Sequence, residues 1–380
     1  MTDFTTNPGT GEGAETPVES VATAVVGAGV AGSAVALALT ARSMDCAVYE
    51  RVPSRRSGGL GVILMPDGLG ALDRLGLGSA VRSRGVVARR AERRDPSGRL
   101  LLEKELPEHL CLFRRDLVAE LQGALPAGVV RWGRELRALD AAPERPKVRL
   151  RFAGGPDVVA GTVVGADGKG SVVRTVVSPD SRLRSTGIRE LINVVRAPDV
   201  NRNLAGRLVK YLSPEGGLAV GLAPTEEGWV FWYVQFDGRR HGPGEPDPGP
   251  EGLASFAEEV TRGWAEPLPE LVATTDYRRS HLSDVTAMDP PERLAQGPAV
   301  LVGDAAHPLP TPLGEGANTA LEDAVLLDDA IPPGAMSTDL PESFARFGED
   351  RLPRIRSLYD AGRRSVNRFL DTTPSRTVTS

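Results

Sequence analysis

Cysteine, histidine and lysine are all scarce in this chain: two, four and four among 380 residues. Cys46 and Cys111 lie far apart and form no C-x-x-C pair, which excludes a disulfide scaffold and a cysteine zinc site. His109, His241, His281 and His307 show no metal-ligand spacing, so no metal is expected. No apolar run reaches the roughly 18 residues of a membrane span. The N-terminal MTDFTTNPGTGEGAETPVES has neither the basic start nor the apolar centre of a signal peptide. These absences lead to the expectation of a cytoplasmic protein with reduced thiols. Residues 1–20 read as a disordered leader and 371–380 as a Ser/Thr tail. A net charge of −5 and a pI near 5.6 argue against nucleic acid or an anionic membrane as partner. The lysines are Lys104, Lys147, Lys169 and Lys210. The many arginines alternate with acids, which is a compositional bias more than a basic binding face.

What is present is an ordinary globular composition, 41% hydrophobic and 25% charged, in a chain long enough for two or three packed units. The clearest segment is VATAVVGAGVAGSAVALALTARSMDCAVYER. An apolar strand at 21–26 runs into Gly27, Gly29 and Gly32, then an Ala/Leu-rich helix over 30–42. A second strand at 46–49 ends in Glu50. This is a complete β-α-β unit with an acid about twenty residues after the turn, the pattern of a dinucleotide site. Gly27 permits the tight turn, Gly29 admits a pyrophosphate, and Gly32 lets helix and strand pack closely. The helix N-terminus offers free N–H groups to phosphate, and Glu50 can accept from a ribose diol.

Further on, 57–77 reads as a glycine turn, a short strand and a helix from near Asp67. Residues 112–125 read as an amphipathic helix preceded by two arginines. KVRLRFAG and DVVAGTVVGADG alternate as strands, and the second ends in Asp167-Gly168 before KGSVVR. The stretch 183–236 is strand-rich, with RLVKYL, GLAVGL and GWVFWYVQF separated by Gly/Pro turns. Residues 237–252 form a Pro/Gly loop, and helical character returns at 253–266. A buried strand at 299–303 leads into GDAAHPLPTPLGEGAN. Residues 341–370 have a long helical pattern, with a kink or break expected at Pro353.

Three motifs thus end strands: GAGVAG with Glu50, GADGKGSVVR, and GDAAH. Ligands of open α/β sheets bind beyond the carboxyl ends of the strands, so the three can converge on one extended cofactor. Asp304 is placed to hold sugar-alcohol hydroxyls. The helix opening near Gly316 can stabilise negative charge beyond them. In this order the motifs resemble those of class A flavoprotein monooxygenases of the para-hydroxybenzoate hydroxylase type, over roughly residues 21–370.

That resemblance implies an α/β fold: a Rossmann-like FAD-binding domain, an inserted antiparallel-sheet substrate domain and a C-terminal helical segment. Its segments would be 21–182 and 291–340 for FAD, 183–290 for substrate and 341–370 for the helix. It implies non-covalent FAD, NADPH or NADH as a transient donor, and O2. Oxygen transfer to an organic substrate would go through a flavin C4a-hydroperoxide. The apolar, aromatic middle strands point to a hydrophobic aromatic or polycyclic small molecule, in natural-product biosynthesis in preference to simple aromatic catabolism. Gly27, Gly29, Val30, Ala31, Gly32, Glu50 and Arg51 would meet the ADP half of FAD. Arg114, with Arg115 as fallback, and Asp167 and Gly168 would approach the cofactor. Gly303 and Asp304 would bind the ribityl chain, and Gly314, Gly316, Ala317 and Asn318 the isoalloxazine edge. Substrate contacts are expected from Tyr211, Trp232, Gln235, Thr311 and Pro312. Alternation groups Trp232 and Phe236 with Val230 and Val234, either as core or as a pocket wall. No catalytic base is assigned; Tyr211, Gln235 and His281 are candidates by type alone, and His307 reads as a turn residue. Two positions depart from the family pattern, Thr311 in place of Pro and Glu315 in place of Gln. An epoxidase, a Baeyer–Villiger-type oxygenase or an FAD-dependent reductase remain alternatives. A halogenase and a non-catalytic flavin-binding protein fit less well. A monomer or homodimer is expected.

Overall fold

The computed structural model describes residues 18–54, 60–140, 147–245 and 248–371. The expected tail, apart from Asp371, and most of the expected leader lie outside them. Residues 18–20 are not leader: they pair with 157–159 as the start of the first strand.

The first half runs β1 (Val18–Val26), α1 (Val30–Ala41), β2 (Cys46–Glu50), β3 (Gly61–Leu64), α2 (Pro66–Arg74), α3 (Gly78–Arg82), β4 (Val86–Arg94), β5 (Leu100–Phe113) and α4 (Arg114–Gly123). Next come β6 (Val130–Trp132), β7 (Glu135–Asp140), β8 (Val148–Ala153), β9 (Asp157–Gly165), α5 (Arg174–Val177), β10 (Leu183–Arg196), α6 (Pro198–Leu204), β11 (Arg207–Leu212), β12 (Leu218–Pro224) and β13 (Trp229–Asp237). The chain continues through α7 (Gly249–Val260), α8 (Leu268–Thr274), β14 (His281–Met288), β15 (Ala295–Gln296), β16 (Ala299–Leu301), α9 (Gly316–Ala330) and α10 (Leu340–Leu370).

The first sheet has the order β15-β16-β9-β1-β2-β6, with β7 and β8 continuing from β9. Its central pairs β16–β9, β9–β1, β1–β2 and β2–β6 are parallel, as β-α-β crossovers require. Such a sheet is covered on both faces and its strands are apolar throughout. Val25 packs into the core shared with α1, α4 and α9, whereas Ala24 and Val26 face the core shared with α5 and α10.

The second sheet has the order β14-β10-β13-β12-β11-β4-β5-β3. It is not confined to 183–290. β4 joins β11 in parallel, and β5 and β3 follow, so three strands come from the segment assigned above to FAD. Residues 86–106 gave no strand signal because β4 buries little beyond Ala88 and Glu92, and the first half of β5 is exposed. Cross-strand pairing, not apolar alternation, holds them. Helices α7 and α8 cover one face of this sheet through Phe256, Ala257, Leu268 and Leu271.

The C-terminal helix is continuous from Leu340 to Leu370 despite Pro353. The proline ring sits on the solvent side, while Arg351, Ile355 and Leu358 anchor the inner side. Tertiary packing therefore overrides the expected break. No helix among the described residues is long and apolar enough to cross a membrane.

Candidate cofactor and substrate site

The glycine loop between β1 and α1 is tight for identifiable reasons. Gly27 has φ +101, and a Cβ there would lie 2.4 Å from Ala166 O on the neighbouring strand end. A Cβ on Gly32 would lie 1.9 Å from Gly27 O. At Gly29 the nearest atom is Arg114 Nη2, 3.8 Å away, so this position faces open space beside a cation. Gly29 is also the N-cap of α1, with no side chain closing the helix start. Val30 and Ala31 form its first, buried turn. Free amides, a nearby guanidinium and an absent side chain make a cradle that fits a pyrophosphate. Arg115, the alternative, is turned away: it stacks on Phe113 at 4.1 Å and pairs with Asp116 and Glu226. Glu50 accepts from Ala28 N at 2.8 Å and from Val52 N at 3.1 Å, so it also fixes the loop. Each carboxylate oxygen keeps a second acceptor site for a ribose hydroxyl. Arg51 is exposed just beyond it. Sequence reasoning missed Gln122 of α4, whose Nε2 donates to Ala28 O at 2.7 Å and braces the loop from below.

The second cradle forms where β16 ends. Gly303 has φ +58 and lies so close to α1 that a Cβ would be 2.6 Å from Ala31 Cβ. Asp304, half-buried, has Oδ1 3.8 Å from where a Gly316 Cβ would stand. The acid and the start of α9 therefore share one opening. No side chain caps α9, leaving the amides of its first turn, Gly316 to Asn318, for a ligand. The Asn318 side chain has another duty. Its Oδ1 accepts from Met65 N at 2.7 Å, and its Nδ2 donates to Ile63 O and Gly314 O at 3.2 Å each. This buried amide ties β3 and α2 to the loop, and only its backbone remains for cofactor. Glu315 precedes the helix; burial raises its carboxyl above the usual range despite Arg354. Gly314 adopts φ +73 against Met65, and Thr311 and Pro312 sit in the adjoining single turn, Thr311 exposed.

Asp167 serves its own loop. It accepts from Ser171 Oγ, from Val172 N at 2.7 Å and from Val173 N at 3.3 Å, closing the turn into α5. Gly168 supplies the positive φ of +79 there. The contact between this motif and the G-D loop comes from Arg174, missed from sequence. Its buried guanidinium donates to Ala305 O at 3.0 Å, Asp304 O at 3.4 Å and Lys169 O. His307 is fully buried, and its Nε2 stands 2.6 Å from Asp323 Oδ2. Asp323 also accepts from Gly303 N at 2.7 Å and from Arg351 Nε at 2.9 Å. Burial alone would raise this carboxyl, yet His307 and Arg351 hold it below the usual range. The network pins the G-D loop onto α9 and α10 and supports the turn role of His307.

The second sheet meets this region through β3 and presents two faces. Val230, Trp232, Val234 and Phe236 all point into the core under α7 and α8. Trp232 Nε1 donates to Thr275 Oγ1 at 3.0 Å, and Tyr211, on the same face, has its hydroxyl 3.4 Å from Glu266 O. The expectation that Tyr211 and Trp232 line a substrate pocket is therefore corrected. Two-residue periodicity turns them to the helix-covered face. Replacing Trp232 with Phe is expected to lower stability by about 1 kcal/mol through the lost hydrogen bond, with ligand affinity unchanged in a binding titration. The other face carries Phe231, Tyr233 and Gln235, together with Phe113, Ile63 and Ile192. It is tied to the G-D loop: a Cβ on Gly61 of β3 would lie 2.4 Å from Phe231 Cγ, and Asn318 holds Ile63 two residues on. His281 stands exposed at the sheet edge opposite Ile192.

A glycine cradle at α1 and a second bare helix start beside an acid at α9 fit the two ends of a flavin dinucleotide, the arrangement of a flavin-dependent oxidoreductase. The family model described as an FAD binding domain matches residues 20–359, and the chain belongs to that family, the class A flavoprotein monooxygenases. It is 34% identical over 374 residues to a 3-amino-4-hydroxybenzoate 2-monooxygenase of Streptomyces cremeus, covering 91% of this chain and 87% of that one. A 3-amino-4-hydroxybenzoate 2-monooxygenase of Streptomyces platensis, PtnB3, is 33% identical, covering 91% and 88%. The structure of Klebsiella pneumoniae HpxO complexed with FAD and uric acid superposes with a TM-score of 0.81 at 23% identity, over 91% of this chain and 88% of that one. This last likeness establishes the fold. The protein is an FAD-dependent monooxygenase.

Proposed function

We propose that this enzyme hydroxylates an electron-rich aromatic ring of the aminophenol type, using NADPH or NADH and O2, in natural-product biosynthesis. The observation that carries the reading is the aromatic face of Phe231 and Tyr233, set against the β3 segment that Asn318 clamps to the start of α9. The Streptomyces relatives act on an aminohydroxybenzoate, which supports the substrate type. The FAD cofactor supplies the redox and oxygen chemistry when bound. The chain supplies binding, orientation and shielding from water. The amides of Gly29 and Val30, with Arg114, would hold the pyrophosphate, and Glu50 would hold the adenosine ribose. Asp304 would accept from the ribityl hydroxyls. The uncapped first turn of α9 would offer positive potential to negative charge on the ring system. Asp167, Arg174 and Asn318 act through the backbone they hold. Cytoplasmic location, and a monomer or homodimer, belong to the same reading.

The test is anaerobic mixing of the FAD-loaded protein with NADPH or NADH, with and without 3-amino-4-hydroxybenzoate. Bleaching of the oxidised flavin band is expected, followed in air by oxygen uptake equal to hydroxylated product. Absence of bleaching with both donors and substrate present, or oxygen uptake matched entirely by hydrogen peroxide for every aminophenol offered, would overturn the reading.

A further inference from the structure

One row of directly opposed residues crosses the aromatic face of the second sheet: Ile192 on β10, Tyr233 on β13, Gly221 on β12 and Lys210 on β11. Opposed residues project to the same side, so all four share the face that carries Phe231. Gly221 is required there. A Cβ would lie 2.2 Å from Tyr233 Cζ, so only glycine lets the ring lie across β12 toward Lys210. Lys210 Nζ stands 5.7 Å from the Tyr233 ring centroid and 6.0 Å from that of Phe369, at the end of α10.

The ammonium is held but not neutralised. It donates to Gln235 Oε1 at 2.6 Å, and Gln235 Nε2 donates in turn to Glu190 Oε1. The Gln235 amide is thereby oriented and stands between the lysine and the acid. Gln235 takes one of the three N–H donors of Lys210 and is its one hydrogen-bonding partner among the described residues. Burial presses the ammonium down to about 8, with Glu190 working against the shift and Arg93 adding to it. A cation in aromatic surroundings, with donors to spare, is set up for an anion.

We propose that Lys210 determines specificity by binding the carboxylate of a small aromatic-acid substrate, whose ring lies along Tyr233 toward Phe231. The proposal rests on the reaction assigned above and narrows its substrate to acids. Phe231 and Tyr233 have ring centroids 5.7 Å apart, a spacing one substituted benzene ring can span. Phe231 abuts β3, so a ring anchored at Lys210 and lying along Tyr233 extends toward the segment that Asn318 holds against the G-D loop.

The experiment titrates FAD-loaded, full-length wild type, Lys210→Met and Lys210→Arg with benzoate and with phenol, following perturbation of the flavin spectrum. Methionine keeps the apolar stem but leaves the buried Glu190 without its nearby cation, so FAD content and melting temperature are measured alongside. Wild type is expected to prefer benzoate. Lys210→Met is expected to weaken benzoate about 30-fold or more and leave phenol unchanged, while Lys210→Arg restores part of the preference. With 3-amino-4-hydroxybenzoate, KM should rise in Lys210→Met far more than kcat falls. Retention of the benzoate preference by Lys210→Met, at wild-type FAD content and melting temperature, would sink the proposal. So would a wild type that does not distinguish acid from phenol. Should Lys210→Met fail to fold, Lys210→Gln carries the same comparison. A Lys210-dependent benzoate preference in an enzyme that oxygenates no aromatic acid would leave the anchor standing and remove the reaction assigned above.

Discussion

Gly32→Ala is expected to yield a protein that purifies colourless. The added methyl would lie 1.9 Å from Gly27 O and 3.1 Å from Ala166 Cβ, and the oxygen belongs to the loop proposed above to cradle the pyrophosphate. Backbone cannot rotate aside as a side chain can, so the loop must open or α1 must lift from the sheet. Overpacking of this kind costs about 1–3 kcal/mol in stability. The larger effect is expected on FAD, because the displaced atoms belong to the loop proposed above to hold it. Gly29→Ala is the informative contrast. Its methyl has only Arg114 Nη2 within reach, at 3.8 Å, so the cofactor-free protein should melt where wild type melts. FAD affinity should still fall at least about tenfold, or ~1.4 kcal/mol. Melting curves with and without FAD, and flavin content after gel filtration, separate the two variants. Equal flavin content in Gly29→Ala and wild type would remove the phosphate from this loop.

Asp323→Asn is expected to be the most destabilising single change of polar character. Asp323 is fully buried and gathers His307, Arg351 and the Gly303 amide on its two oxygens. Removing its charge leaves the buried Arg351 guanidinium with Glu322 as its remaining carboxylate. Breaking a buried pair in this way costs about 3–5 kcal/mol, a large part of the stability of an ordinary domain. The midpoint of urea unfolding, read on FAD-free protein so that ligand linkage does not enter, measures it. The pH dependence follows from the depressed Asp323 carboxyl. Its stabilisation is fully present above the unfolded aspartate value of about 3.9 and is lost as pH falls through the lower folded value. Wild type should therefore lose stability in acid more steeply than Asp323→Asn, and the two curves should converge below about pH 4. Parallel curves would mean that the carboxyl is not held low in the folded state.

The glycine spacing GAGVAG, Glu50 at a strand end, and the G-D motif before a glycine-opened helix could be read without a structure. Each encodes a local backbone shape, a tight turn or a bare helix start, and local shape depends on a few adjacent residues. The ligand type was legible for the same reason. Other features depended on which strands meet. Nothing within 86–113 announces that β4 will join β11, since that register is set by partners more than a hundred residues away. Which face of β13 the helices cover could not be chosen from alternation alone. Two periodic faces exist, and only the tertiary structure put the Trp232 side under α7 and α8 and the Phe231 side in a second cluster with Phe113 and Ile63. Arg174, Gln122 and Asp323 act on backbone groups of distant loops, so they carry no spacing signal. Lys210 was visible in the sequence as one of four lysines. Its place beside Tyr233 and Gln235 came from the pairing of three strands over a glycine, which no contiguous stretch of sequence contains.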